Sequence, residues 1–189
     1  INAGVNPNFN CVLGNILFSN FTVIGNTNDP TPTVTVSFPL MSGPPETVFS
    51  FNPNEGSNFD VDLFFKAQAL TGQITSVDLA VGGVLANVTE RVCTAQIVGN
   101  PGNLCSPTGT QLAALAAESG FSTSATLGMP ASTIYIAKDL GTQIGGGLST
   151  VSESFTTEGE IPSVPEPMTS SLIGLGLVSL GLLRWRIKK

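Results

Sequence analysis

Thirteen acids, seven bases, three cysteines and no histidine are what this chain of 189 residues offers for chemistry. The missing imidazole removes the commonest general base, the commonest metal ligand and any Ser-His or Cys-His nucleophile pair. The clearest carboxylate pair is Asp60 and Asp62, two apart on one face of an alternating stretch, with Asp78 a candidate neighbour. Hard oxygen ligands of this kind bind Ca²⁺ outside a cell. A plain solvated sheet face has the same composition, so the pair is only a candidate. A paired-carboxylate glycosidase needs roughly 5–10 Å between its carboxyls across a cleft, which sequence spacing does not report. No catalytic residue is assigned, no cofactor beyond the calcium option is expected, and the chain is not read as an enzyme.

The cysteines are Cys11, Cys93 and Cys105. Without histidine or a Cys-x-x-Cys pair they have no zinc-site spacing. Cys93 and Cys105 bracket the turn-rich stretch Asn100-Pro101-Gly102-Asn103, which predicts a loop closed by a disulfide. Such a bridge contributes roughly 3 kcal/mol through the restricted unfolded chain; two unpaired thiols are the alternative. Cys11 is expected either to pair beyond the given sequence or to be a buried free thiol. Thr31, Thr33 and Thr35 form a single row. A flat ice-binding array needs such rows repeated, so ordinary strand propensity explains this one better. The lone Tyr135 and the lone Trp185 argue against a sugar cleft of the usual aromatic kind. Two sequons, at Asn20-Phe21-Thr22 and Asn87-Val88-Thr89, are expected by chance.

These residues are positioned by strands. Only 11% of the chain is charged, while 41% is hydrophobic and Gly and Pro are abundant, so neither an acidic disordered chain nor a helical bundle fits. Period-two alternation predicts strands at 16–24, 33–38, 47–51 and 59–67. In the last, Phe59, Val61, Leu63, Phe65 and Ala67 face one way, and Asp60, Asp62, Phe64 and Lys66 the other. Strands at 74–81 and 84–92, separated by Gly82-Gly83, predict a β-hairpin. The Ala/Leu-rich stretch 111–119 predicts a short helix, N-capped by Thr110 and ended by Gly120; an insertion in a sheet crossing is the alternative. Strands return at 132–140 and 148–157, joined by a glycine-rich loop at 145–147. The expected fold is all-β, a β-sandwich or jelly roll over residues 1–157 with one short helix. A Pro/Glu linker follows at 158–167.

Charge is split along the chain. Residues 1–167 hold every acid against only Lys66, Arg91 and Lys138, while Arg184, Arg186, Lys188 and Lys189 crowd the end. An acidic body repels phosphate, so nucleic acid is not an expected partner. The uncharged run Met168 to Leu183 extends about 24 Å as a helix, somewhat short of the roughly 30 Å hydrocarbon core of a bilayer. Trp185 and Ile187 can lengthen it while Arg184 and Arg186 snorkel. A single inner-membrane helix over 168–183 is expected, its basic end a cytoplasmic stop; a buried C-terminal helix of the globular domain is the alternative. Ile1 is not a start methionine, so a removed leader or a fragment is expected.

Directly before that run stands Val164-Pro165-Glu166-Pro167. Pro-Glu-Pro, then a short apolar helix, then a cationic end, resembles the PEP-CTERM sorting signal of Gram-negative bacteria, also catalogued as an ice-binding protein C-terminal domain. Cys11-Val-Leu-Gly-Asn-Ile-Leu-Phe-Ser-Asn-Phe and Ala137-Lys138-Asp139-Leu140 are similar to stretches of one group of PEP-CTERM proteins. The tail Arg-Trp-Arg-Ile-Lys-Lys departs from the tighter arginine run usual in that family. The resemblance implies an exosortase substrate, cut near the motif and delivered from the inner membrane to the cell surface or the exopolysaccharide matrix. Pro165 and Pro167 suit this by holding the site extended. The expected role is a structural or adhesive surface component. A calcium- or polysaccharide-binding module and an unrecognised extracellular enzyme are the alternatives.

Overall fold

A computed structural model of the chain describes residues 10–25, 35–37, 46–52, 60–95 and 105–159. Among these residues there are nine strands and no helix: β1 (Cys11–Leu13), β2 (Ile16–Gly25), β3 (Thr35–Ser37), β4 (Glu46–Asn52), β5 (Asp60–Ala69), β6 (Gln73–Cys93), β7 (Gln111–Glu118), β8 (Ser122–Ala131) and β9 (Thr133–Glu158). Every pairing is antiparallel. The all-β expectation is met. Of the linker expected over 158–167, Glu158 is the last residue of β9; its residues 160–167 and the membrane segment with its basic tail over 168–189 lie outside the described residues, as does Thr31-x-Thr33.

Two long strands organise everything else. β6 and β9 pair from Gln73↔Glu158 to Cys93↔Tyr135, with register shifts at Gly82/Gly83 and Val84/Ala86. Their neighbours change along the ladder. The early half of β9 pairs with β5 from Thr133 to Gly141, and β5 continues to β2 and β1. The late half of β9 pairs with β4, and β4 with β3. The late half of β6 takes β7; the early half takes β8. One layer is therefore β1-β2-β5-β9-β6-β7, the other β3-β4-β9-β6-β8, and the same two strands cross from one to the other.

The layers face each other over an apolar core, as in a β-sandwich. Phe18 of β2 packs on Phe155 of late β9 with ring centroids 5.4 Å apart. Alternation builds this interface directly. Val61, Leu63, Phe65 and Ala67 of β5 are buried inward, as are Ile134, Ile136 and Leu140 of early β9 and Val151 and Phe155 of late β9.

Two sequence expectations need correction. The stretch 111–119 is not a helix: Gln111–Glu118 is β7, hydrogen-bonded along β6 from Asn87↔Glu118 to Cys93↔Gln111. Leu115 and Ala117 are buried while Ala114, Ala116 and Glu118 are exposed, a period of two. Intrinsic helix propensity differs by only tenths of a kcal/mol among most residues, and an open sheet edge outweighs it. The hairpin predicted across Gly82-Gly83 is absent too. Its two arms are halves of β6, and both pair with β9 rather than with each other. The glycines serve close approach instead of chain reversal. Gly83 has φ +141°, and a Cβ there would lie 2.3 Å from the Gly147 carbonyl oxygen. The glycine-rich loop expected at 145–147 is the matching irregularity within β9. Around this bend Val84, Leu85 and Ile144 are exposed, and Leu85 takes φ +51°.

Gly83→Ala is expected to destabilise the fold by at least about 2 kcal/mol, because it adds both backbone strain and a clash. Gly120→Ala, at φ +81° with open space around it, should cost only about 1 kcal/mol. Urea unfolding of both variants checks the order; equal losses would mean that the two long strands do not approach this closely.

Candidate functional site

The outer face of the first layer holds the carboxylate pair that the sequence singled out. Asp60 and Asp62 share that face, as expected from the alternation of β5. Register then adds a carboxylate that was not anticipated. Asp62 lies directly across from Asp139 of β9, and Asp60 across from Gly141. Burial first, then the charges of Asp62 and Asp60, raise the Asp139 carboxyl above its ordinary range. Asp78 does not join them. It stands on the early half of β6 in the second layer, where it accepts a hydrogen bond from Ser154 Oγ at 3.0 Å. No group of three or more Asp, Glu, Cys or His side chains among the described residues is arranged to hold a metal ion.

The same face continues across the sheet. The Asp62–Asp139 row runs on to Thr89 and Ala116, and the Asp60–Gly141 row to Asn87 and Glu118. There the edge strand β7 and the turn to β8 frame a cleft of about 510 Å³, lined by Asn87, Thr89, Ala116, Glu118, Phe121 and Ser122 among others. Phe121 is 68% exposed at its rim. At the other end of the face, Tyr135 lies opposite Lys66 and opposite Cys93, and Lys66 Nζ donates to Gln68 Oε1 at 2.8 Å.

Cys93 and Cys105 form the predicted disulfide, with Cα atoms 5.6 Å apart. Cys93 projects from β6 onto this outer face, and Phe64, Ala137 and Cys105 pack around it as a small second core. That cover explains why Phe64, which the alternation points outward, is buried. Cys11 is a free thiol, half-buried rather than buried, and burial raises its pKa.

Between the layers is an ionic group that the alternation contained in plain view. Glu90, Lys138 and Glu153 occupy positions where the pattern calls for apolar residues: between Val88 and Val92, between Ile136 and Leu140, between Val151 and Phe155. Their side chains are fully buried. Glu90 and Lys138 are cross-strand partners, with Lys138 Nζ donating to Glu90 Oε2. Glu153 reaches in from the late half of β9, its Oε2 2.9 Å from Lys138 Nζ in an ionic contact without hydrogen-bond alignment. Burial works against the Lys138 ammonium, but Glu153 and Glu90 outweigh it and hold its pKa above the ordinary lysine value. Burial, and then the Glu90 charge, push the Glu153 carboxyl up to about 8 against the pull of Lys138. The signal for this group was three charges breaking three apolar alternations.

No family model and no curated protein matches the chain. Solved structures similar to it include the carbohydrate-binding module TmCBM61 in complex with beta-1,4-galactotriose, at 14% identity and a TM-score of 0.41, covering 71% of this chain and 88% of that one. The K2 cleaved adhesin domain of Lys-gingipain matches at 17% identity and a TM-score of 0.34, covering 72% and 90%. A family 29 carbohydrate-binding module matches at 15% and 0.23, covering 65% and 85%.

A carboxyl whose pKa is raised on folding holds a proton that the unfolded chain has already released, so its fold is favoured at low pH and loses stability as pH rises. For Glu153 the window runs from the ordinary value of 4.5 to about 8. Asp139 acts with the same sign, and the raised lysine titrates above the window. Melting temperature should therefore fall as pH climbs through this range, and Glu153→Gln should flatten most of the slope. A melting temperature that rises across the window would contradict the assignment.

Proposed function

We propose that this chain is an exported structural or adhesive protein of the cell surface or extracellular matrix, held in the inner membrane by its C-terminal helix until an exosortase cuts near Val164-Pro165-Glu166-Pro167. The observation that supports export is the Cys93–Cys105 disulfide. Disulfides persist in oxidising compartments and are rare in the cytosol, and this one closes over a buried patch of the sheet. The order of motif, apolar run and cations in 164–189 supplies the route. β9, the last described strand, ends at Glu158. Cell fractionation followed by mass spectrometry of the mature protein tests this. The surface fraction should contain a form ending near Pro167. An intact Lys189 in that fraction would overturn processing, and a purely cytosolic protein would overturn export.

A second reading makes the outer face of the first layer a ligand surface for polysaccharide, with calcium as an accessory. Tyr135, Lys66 and Gln68 at one end of that face, and the Asp62–Asp139 pair with the cleft beside Glu118 at the other, favour it. A glycan array with and without calcium is the check. Tyr135→Ala should abolish any sugar binding, and Asp62→Asn any calcium-dependent rise in melting temperature. Binding untouched by both substitutions would place the ligand elsewhere.

A further inference from the structure

The Glu90–Lys138–Glu153 group is costly as three ions. Two carboxyl groups and one amine share a site where all three side chains have no solvent exposure. Glu90 Oε1 and Glu153 Oε1 have no hydrogen-bond partner there. Desolvating an ion costs several kcal/mol, and a pair offsets this only when its remaining acceptors are satisfied. One bond formation would remove the opposite charges of Lys138 and Glu90. The amine and a carboxyl are already in contact, since Lys138 Nζ meets Glu90 Oε2. They are presented by directly opposed residues of adjacent strands, so the sheet itself sets their approach. The alternate positions on either side of the three residues, Val88 and Val92, Ile136 and Leu140, Val151 and Phe155, are all buried and apolar. A second carboxyl, Glu153, stands 2.9 Å from the same nitrogen.

We propose that Lys138 and Glu90 condense to an intramolecular amide, joining Nζ to Cδ, with Glu153 as the catalytic acid and base. The step draws on the minor neutral form of the contact pair, an amine and an acid, reached when a proton passes from the Lys138 ammonium to the Glu90 carboxylate across their hydrogen bond. The nitrogen lone pair attacks Cδ. A C–N bond forms, and the carbonyl electron pair moves onto oxygen. Glu153 gives its proton to the departing hydroxyl and takes one back from nitrogen. The C–O bond breaks, the carbonyl re-forms, and one water leaves. No oxidant, reductant or activating group is consumed. Fixed proximity supplies the drive that two free solutes lack, and the apolar surroundings keep water from reversing the step. Burial that keeps Glu153 protonated up to about pH 8 suits the same role. The product replaces the Lys138–Glu90 ion pair with one amide beside the Glu153 carboxyl, whose donors and acceptors can satisfy each other.

This proposal is independent of where the protein is sorted, and the protein's mass decides it. The purified full chain, with its disulfide intact, should be lighter by one water than the sequence with a disulfide requires. Proteolysis should yield a branched peptide joining the Glu90 and Lys138 segments, and trypsin should not cut after Lys138. Lys138→Arg and Glu90→Ala should each restore the full mass. Glu153→Gln, which keeps both reacting groups, should stay unlinked or link far more slowly. A folded wild-type chain of full mass overturns the proposal even if every variant fails to fold. A water loss mapped to any other residues overturns it as well, and a Glu153→Gln chain that links like wild type overturns the role of Glu153.

Discussion

As the chain folds, one interaction fixes how the two layers meet: the ion contact that carries Lys138 of the first layer to Glu153 of the second, with Glu90 beside it. The apolar core can close the sandwich in many slightly different ways, because dispersion and hydrophobic burial are not directional. A buried charge has no such freedom. If Lys138 slipped by one residue on β9, its ammonium would turn outward and leave two carboxylates in the core without a cation, since a one-residue shift flips every side chain of a strand. The group therefore sets the register of β9 against β6 and the placement of late β9 over early β9. Aromatic contacts such as Phe18 on Phe155 fill the space that this register leaves.

That register has to be kept along strands far longer than the usual five or six residues. β6 has 21 residues and β9 has 26. Twist alone would splay so long a ribbon. The bend at Gly82-Gly83 and the irregular segment before Leu148 let the ribbon turn from one layer into the other without breaking the pairing. The position of the bend is also where apolar side chains reach solvent, at Val84, Leu85 and Ile144. Beyond it β7 and β8 complete one edge of each layer.

How far the sequence alone reaches can be followed residue by residue. Alternation on β5 placed Asp60 and Asp62 outward and Val61, Leu63 and Phe65 inward, because each strand's side-chain period is a local property. The Cys93–Cys105 link was legible from a turn-rich loop between two cysteines. Asp139 beside Asp62 was not, since cross-strand register is a relation between distant segments. The same holds for β7. Its Ala and Leu residues favour a helix by intrinsic propensity, and only pairing with the open edge of β6 overrides it. Gly82-Gly83 reads as a turn in isolation and becomes a close-packed bend only when β9 lies against it. The buried charges could have been noticed as breaks in pattern, but their pairing depends on the two layers meeting.

The place of β9 in the sheet has a mechanical consequence. It is flanked on both sides along most of its length, by β5 and β6 in one layer and by β4 and β6 in the other. A pull on its C-terminal end along the strand axis would load those ladders in shear. Many backbone hydrogen bonds would then have to yield together, where peeling an edge strand would break them one at a time. A chain tugged from that end would resist as a clamp and not as a zipper.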